Sequence, residues 1–248
     1  MSMQTLTVGG LNLYEEFGVY IDTSLTFNKP KKDVEFINIP GRDDGALIVD
    51  YGTFQNIVLP VPCFIHGDFD TKFNGLINTL GAIRNYVPLR FSNDPDHTRQ
   101  GYPLMTQAPT VKRINEDGWF DLQFNCKPYR YLRSGDRSVE IEYPSMQITN
   151  PTRFNALPRV HITGYGRLEI NDSQIEIAQH PTGEIIIDSE RMEIRGNLPY
   201  PYKASDYVTI TTDVYPRFFP GGANMIYADA TLTQGVTSAR FYPNWREL

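Results

Sequence analysis

The side chains best suited to chemistry are few and poorly grouped. Asp43 and Asp44 are adjacent within residues 40–45. Neighbouring residues of an extended segment point to opposite faces, so this pair cannot flank one glycosidic bond without a special turn. Proline, glycines and aspartates packed this closely read first as a turn with defined backbone angles. Asp94, Asp96 and His97 form an acidic loop with a histidine that could hold a cation. Three side-chain ligands close in sequence are too few to assign one, and no metal is expected. His66, His161 and His180 stand isolated, away from any serine or cysteine partner, as strand-end or surface histidines do. Gly164, Tyr165 and Gly166 make too short a motif for a phosphate loop and mark a tight turn. Tyr200, Tyr202 and Tyr207 could stack on sugar rings, although half-buried places in a sandwich are the plainer reading. Cys63 and Cys126 each sit in an apolar, strand-like stretch and are expected as buried free thiols. No nucleophile with its base, carboxylate pair or ligand cluster emerges, so the chain is expected to have no catalytic, cofactor-binding or metal residues and not to be an enzyme.

The elements that must position these side chains are mostly strands. The chain has 248 residues, enough for one large β domain or two smaller ones with separate cores. Hydrophobic residues at 40% and charged residues at 21% are those of a folded chain and argue against general disorder. Eighteen prolines, 19 glycines and 29 Tyr and Phe residues against two Trp suit many short strands joined by turns. A net charge of −6 argues against a chain whose main task is gripping nucleic acid. Residues 1–10 lack a basic start followed by an apolar core, and no run is long enough to span a bilayer, so cytoplasmic synthesis and folding are expected.

Residues 119–126 organise the chain. Phe120, Leu122, Phe124 and Cys126 alternate with Asp121, Gln123 and Asn125, the period of a half-buried strand. Pro128 has no backbone donor, so the chain is expected to leave its sheet near Lys127, with residues 133–137 as a linker. Upstream, residues 5–14 predict a strand and a turn at Gly9 and Gly10; 34–39 and 46–49 predict strands around the 40–45 turn. Residues 54–65 predict a strand that Pro60 and Pro62 place at an edge or a bend. Phe73, Leu76, Ile77, Leu80 and Ile83 recur at helical spacing, predicting a helix over about 69–86, capped by Asp68 or Asp70 and stopped by Pro88. Residues 105–114 and 119–126 predict a hairpin turned at 115–118.

Downstream the helical period disappears. Residues 139–143, 159–163, 167–170, 174–178, 184–188, 191–194 and 207–214 predict seven short strands of an antiparallel sandwich. Leu168 and Ile170 alternate with Glu169, and Ile175 and Ile177 with Glu176, across a turn at Asn171 and Asp172. Residues 218–245 predict two further strands. The fold class is therefore mainly β: a β-rich N-terminal domain with one amphipathic helix, then a sandwich.

Several of these segments, taken in order, resemble the distal tail proteins of phages with long non-contractile tails. They are the turn at 40–45 followed by 46–49; Cys126, Lys127, Pro128 and Tyr129; and Thr149, Asn150 and Pro151. Residues 158–162, 164–171 and 185–190, then Pro220, Gly221, Asn224 and 240–248, continue the likeness. The resemblance implies a ring-forming domain over 1–132 with an extended arm, and a galectin-like β-sandwich over 133–248 whose last strand can return to the first domain. It implies six copies in a ring at the tail's far end, one ring or two stacked. Expected partners are the tail tube and tape-measure proteins, a tail-associated lysin or tip protein, and receptor-binding or baseplate proteins. DNA would pass through the lumen without specific binding, with no membrane contact. Longer members of the family carry inserted carbohydrate-binding modules, for which this chain has no room. A closed ring needs two different surfaces on each copy. The proline-rich edges at 29–40 and 59–62 are expected to reach a neighbour, with Arg42, Asp43 and Asp44 in or beside the contact. The alternative is a galectin-like carbohydrate-binding module; the absence of Trp from residues 139–214 tells against it.

Overall fold

Alternation decides which face of each strand is buried, and in both halves it builds separate cores. The computed structural model describes residues 4–22, 27–41, 46–104, 112–142, 144–228 and 238–248. The chain divides into two units, Met1–Arg130 with Leu248, and Tyr131–Glu247. It is mainly β, and among the described residues no helix is long and apolar enough to cross a membrane.

The first unit opens with β1 (Leu6–Val8) and β2 (Leu11–Asn12), turned at Gly9 and Gly10, whose φ values of 61° and 98° favour glycine. A short helix not anticipated from the sequence, α1 (Leu13–Phe17), follows at once. The Asn12 side chain accepts from the Tyr14 amide at its start and left-handed Gly18 closes its end, so local capping forms a helix too short to show a periodic stripe. Then come β3 (Val19–Ile21), β4 (Lys32–Asn38), β5 (Ala46–Phe54) and β6 (Ile57–Ile65). Helix α2 (Phe69–Gly81) leads to β7 (Val87–Phe91), β8 (His97–Pro103), β9 (Lys112–Ile114) and β10 (Asp117–Leu132). Seven strands pair in the order β2-β1-β7-β8-β10-β6-β3, with β9 beside β10. Leu59, Val61, Cys63, Phe120, Leu122 and Phe124 bury one face of this sheet under Phe69, Leu76 and Leu80 of α2.

Three local expectations are corrected here. Helix α2 ends at Gly81, five residues before 86, and Pro88 lies inside β7 instead of stopping the helix. Asp68 occupies the N-cap position with φ 48° and makes no side-chain cap bond, and Asp70 lies in the first turn. A left-handed backbone aims the carboxylate away from the first amides, where the extended geometry of an ordinary cap would present it. Pro128 does not end β10, which runs on to Leu132. The ladder to β6 already ends at Ile57 opposite Cys126, so the missing donor interrupts none of its rungs. In β6, Pro60 and Pro62 precede the Cys63–Ile65 stretch that pairs with β3, which leaves that side of them outside the β3 ladder. Residues 105–111 of the expected hairpin lie outside the described residues; β9 and β10 turn at Asn115, with φ 57°.

In the second unit the expected linker is a 3-10 turn, Arg133–Asp136. The strands are β11 (Val139–Glu140), β12 (Ser145–Thr149), β13 (Arg159–Thr163), β14 (Gly166–Ile170), β15 (Ser173–Ile177) and β16 (Glu184–Asp188). They continue as β17 (Glu193–Gly196), β18 (Val208–Ile210), β19 (Ala223–Ala228), β20 (Ser238–Tyr242) and β21 (Arg246–Glu247). Among the described residues these make two antiparallel five-stranded sheets, β11-β20-β13-β16-β17 and β12-β19-β14-β15-β18. Val160, Ile162, Ile185, Ile187 and Phe241 of the first sheet share one core with Leu168, Ile170, Ile175 and Ile226 of the second. Leu132 donates to the Trp245 carbonyl at 2.9 Å, where β21 pairs with β10. Two-residue Asn171-Asp172 joins β14 to β15, with Asn171 at φ 53° as the tight hairpin requires.

Candidate functional site

The candidate assembly element is the β4–β5 ribbon. These strands pair only with each other among the described residues, Phe36 opposite Ile48 and Glu35 opposite Val49. Lys32 pairs with Asp50, and the Tyr51 hydroxyl donates to Glu35 at 2.8 Å. Phe54 meets Tyr129 edge-on at 5.9 Å near the ribbon's base. Phe36, Ile48 and Tyr51 are more than half exposed, at 64%, 57% and 56%. Period-two alternation places Phe36 and Ile48 on one face and Tyr51 with Ile37 on the other. A two-stranded ribbon with apolar side chains on both faces is marginal by itself and gains stability from a partner surface. Arg42, Asp43 and Asp44, expected in the contact, lie outside the described residues.

The other predicted chemistry is dispersed. His97 Nδ1 lies 2.5 Å from Asp94 Oδ1, and Arg130 approaches the same carboxylate at 3.7 Å. Asp94 is thus engaged by cationic or donor groups, while Asp96 is exposed. Among the described residues no group of three or more His, Cys, Asp or Glu side chains is arranged to hold a metal. His66 lies 2.8 Å from Asp117. His161 lies 3.2 Å from Glu184 on the outer face of the first sandwich sheet, with Arg159, Arg240 and Tyr242 around it; burial pulls its imidazole below the ordinary value, against the opposing pull of Glu184. Both cysteines are buried and free. Burial raises both thiols, Cys126 to about 11.

One constellation was not read from the sequence. Arg167, Glu176 and Thr209 lie directly opposite one another on β14, β15 and β18. Leu168, Ile175 and Ile177 point into the core, so these three point outward, about 4.8 Å apart from strand to strand. With Tyr165, Asp206 and Tyr207 they line an open cleft of about 470 Å³. Arg167 is paired with Glu169 at 2.6 Å, and its Nε has no hydrogen-bond partner. His180 lies 5.8 Å from the Tyr207 ring, its two nitrogens 2.7 and 2.8 Å from the carbonyls of Pro181 and Gly164. The Tyr202 ring is 6.3 Å from that of Tyr207, Tyr200 is 97% exposed, and neither Tyr200 nor Tyr202 lines the cleft. The alternation of β14 and β15 was legible; their pairing with β18 was not.

A strand-rich first unit with one main helix and a separate two-stranded ribbon, and a second unit that is a two-sheet sandwich, make a fold shared with solved phage proteins. The chain is similar over its full length to the crystal structure of the SPP1 Dit protein, described as a paradigm of the hub adsorption apparatus in Gram-positive infecting phages. The TM-score is 0.68, with 15% identity and 100% of each chain covered. It is also similar to the phage P2 baseplate in its activated conformation with calcium (TM-score 0.59, 8% identity, 97% of each chain) and with strontium (0.58, 8%, 96% of each chain). No protein-family model and no curated protein matches it.

Proposed function

We propose that this chain is a structural hub protein at the distal end of a long non-contractile phage tail. Six copies close into a ring that joins the tail tube to the tail tip or baseplate and to the host-adsorption apparatus. The observation that carries this reading is the end-to-end likeness of both units together to the SPP1 Dit protein. The ribbon supplies the physical means. A closed ring needs a surface on each copy that fits a different surface on the next, and a two-stranded ribbon with exposed apolar side chains can occupy a neighbour in that way. Arg42, Asp43 and Asp44 join β4 to β5 in sequence and are assigned to the same contact. The sandwich presents a second set of surfaces to receptor-binding or baseplate proteins, while tape-measure, tail-tube and tip proteins dock at the ring. The net charge of −6 suits a bore through which DNA passes without adhering. The protein acts in the virion tail, is assembled in the host cytoplasm, and does no chemistry.

Light scattering and negative-stain microscopy of the purified chain test the proposal. Rings with a central hole and the mass of six chains are expected. Phe36→Asp combined with Ile48→Asp, or charge reversal at Arg42, Asp43 and Asp44, is expected to give folded single chains whose unfolding temperature is lowered only by the loss of association. A wild-type protein that stays monomeric at high concentration would overturn it.

A further inference from the structure

We propose that the β4–β5 ribbon of one copy lies on an outward aromatic row of the next copy's first unit, a pairing that rests on the ring reading and supplies its second surface. Val19, Ile21, Cys63, Ile65, Phe120 and Leu122 point into the first core, so Tyr20, Phe64 and Trp119, which alternate with them on β3, β6 and β10, point outward. The three are register partners, Tyr20 opposite Phe64 and Phe64 opposite Trp119, about 4.8 Å apart from strand to strand. Tyr14 of α1 extends the row, its ring 4.6 Å from that of Tyr20, and the Phe64 and Trp119 rings lie 4.7 Å apart. Tyr14 is 41% exposed and Trp119 37%. Further along the same face of β6, Val58 and Pro60 are exposed and Pro62 is half-buried.

A contiguous aromatic and proline surface across three strands is suited to meeting another protein. Ring closure selects the occupant. A heterologous contact joins two different surfaces of the same chain. The ribbon is one: Phe36, Ile37, Ile48 and Tyr51 are exposed on its two faces, and among the described residues its strands pair only with each other. The row offers the complement, because rings and prolines present stiff apolar surface that loses little freedom on contact. Within one chain the two do not cover each other, since Trp119, Phe36 and Ile48 are all exposed. Charge agrees: Asp121, exposed two residues beyond Trp119 on the same face, is opposite in sign to exposed Lys31 just before β4.

Tryptophan fluorescence of the full-length chain tests the contact. Trp119 and Trp245 are its two tryptophans, and Trp245 is only 5% exposed, so acrylamide quenches chiefly Trp119. In rings identified by light scattering, Trp119 should be protected and its emission shifted to shorter wavelength. With Phe36→Asp and Ile48→Asp together, quenching should stay at the level of the dilute single chain. Trp119→Ala, with the far-ultraviolet circular dichroism of wild type, should raise the concentration at which rings form about 30-fold or more, as loss of a central Trp anchor does. A benzophenone side chain placed at position 119 should cross-link to β4 or β5 of another copy. If rings form with Trp119 as quenchable as in the single chain, or with cross-links confined to other segments, the ribbon does not lie on this row although the ring stands. If the wild-type protein stays a single chain, ring and contact fall together.

Discussion

At the scale of single residues, His161 carries the pH dependence that is easiest to isolate. Its neighbours are Glu184, Arg159, Arg240 and Tyr242, and burial lowers its proton affinity in the folded state. The unfolded chain then binds a proton that the folded chain resists. The stability associated with neutral His161 is fully present above the ordinary value near 6.5 and is lost as pH falls through the lower folded value. Urea unfolding below about pH 6.5 should therefore show a shallower pH slope for His161→Gln than for wild type; identical slopes would remove His161 from the account. Cys63 and Cys126 are held as neutral thiols by burial, Cys126 near about 11. Iodoacetamide at pH 8 should label neither in the folded protein and both in denaturant; rapid labelling of the native chain would contradict their packing.

Asparagines govern the element scale. Asn224 is fully buried on β19 and its Oδ1 accepts from the Phe219 amide at 2.6 Å and from Asn171 Nδ2 at 2.8 Å. Its Nδ2 donates to the carbonyls of Phe219 and Gly222, each at 3.1 Å. Asn171, at the tip of the β14–β15 hairpin, accepts at its Oδ1 from the Met225 amide at 3.0 Å and donates from its Nδ2 to the Arg217 carbonyl at 2.7 Å. Two side chains thus tie the hairpin, β19 and the 217–219 segment together. Asn224→Ala strands a buried amide and several carbonyls, so it should cost about 2–4 kcal/mol in equilibrium unfolding; a loss under about 0.5 kcal/mol would show that water replaces the side chain. The Asn171-Asp172 turn and the strands beside it were readable because a two-residue turn is a local event. Asn224 stood out only within the family resemblance. Its partners lie up to 76 residues away, at the Ile148 carbonyl 3.4 Å from its Nδ2, and nothing local announces them.

Over the whole molecule, the two units have separate buried cores, and the proposed assembly rests on the first. If the ribbon is the joining element, Phe36→Asp with Ile48→Asp should lower the mass to one chain while near-ultraviolet circular dichroism stays that of wild type. A ring that survives both substitutions would place the contact elsewhere. The sequence by itself determined the mainly β character, the α2 stripe, the inward and outward faces of β10, β14 and β15, and the burial of both thiols. Each of these follows from side-chain period or turn chemistry within about a dozen residues. Only the tertiary structure decided that α2 stops at Gly81, that β10 runs through Pro128 and that Asp68 leaves its helix uncapped. It also decided that Arg167, Glu176 and Thr209 share one cleft. Those outcomes depend on which strand lies beside which and in what register, and register is set by pairing between segments far apart in the chain.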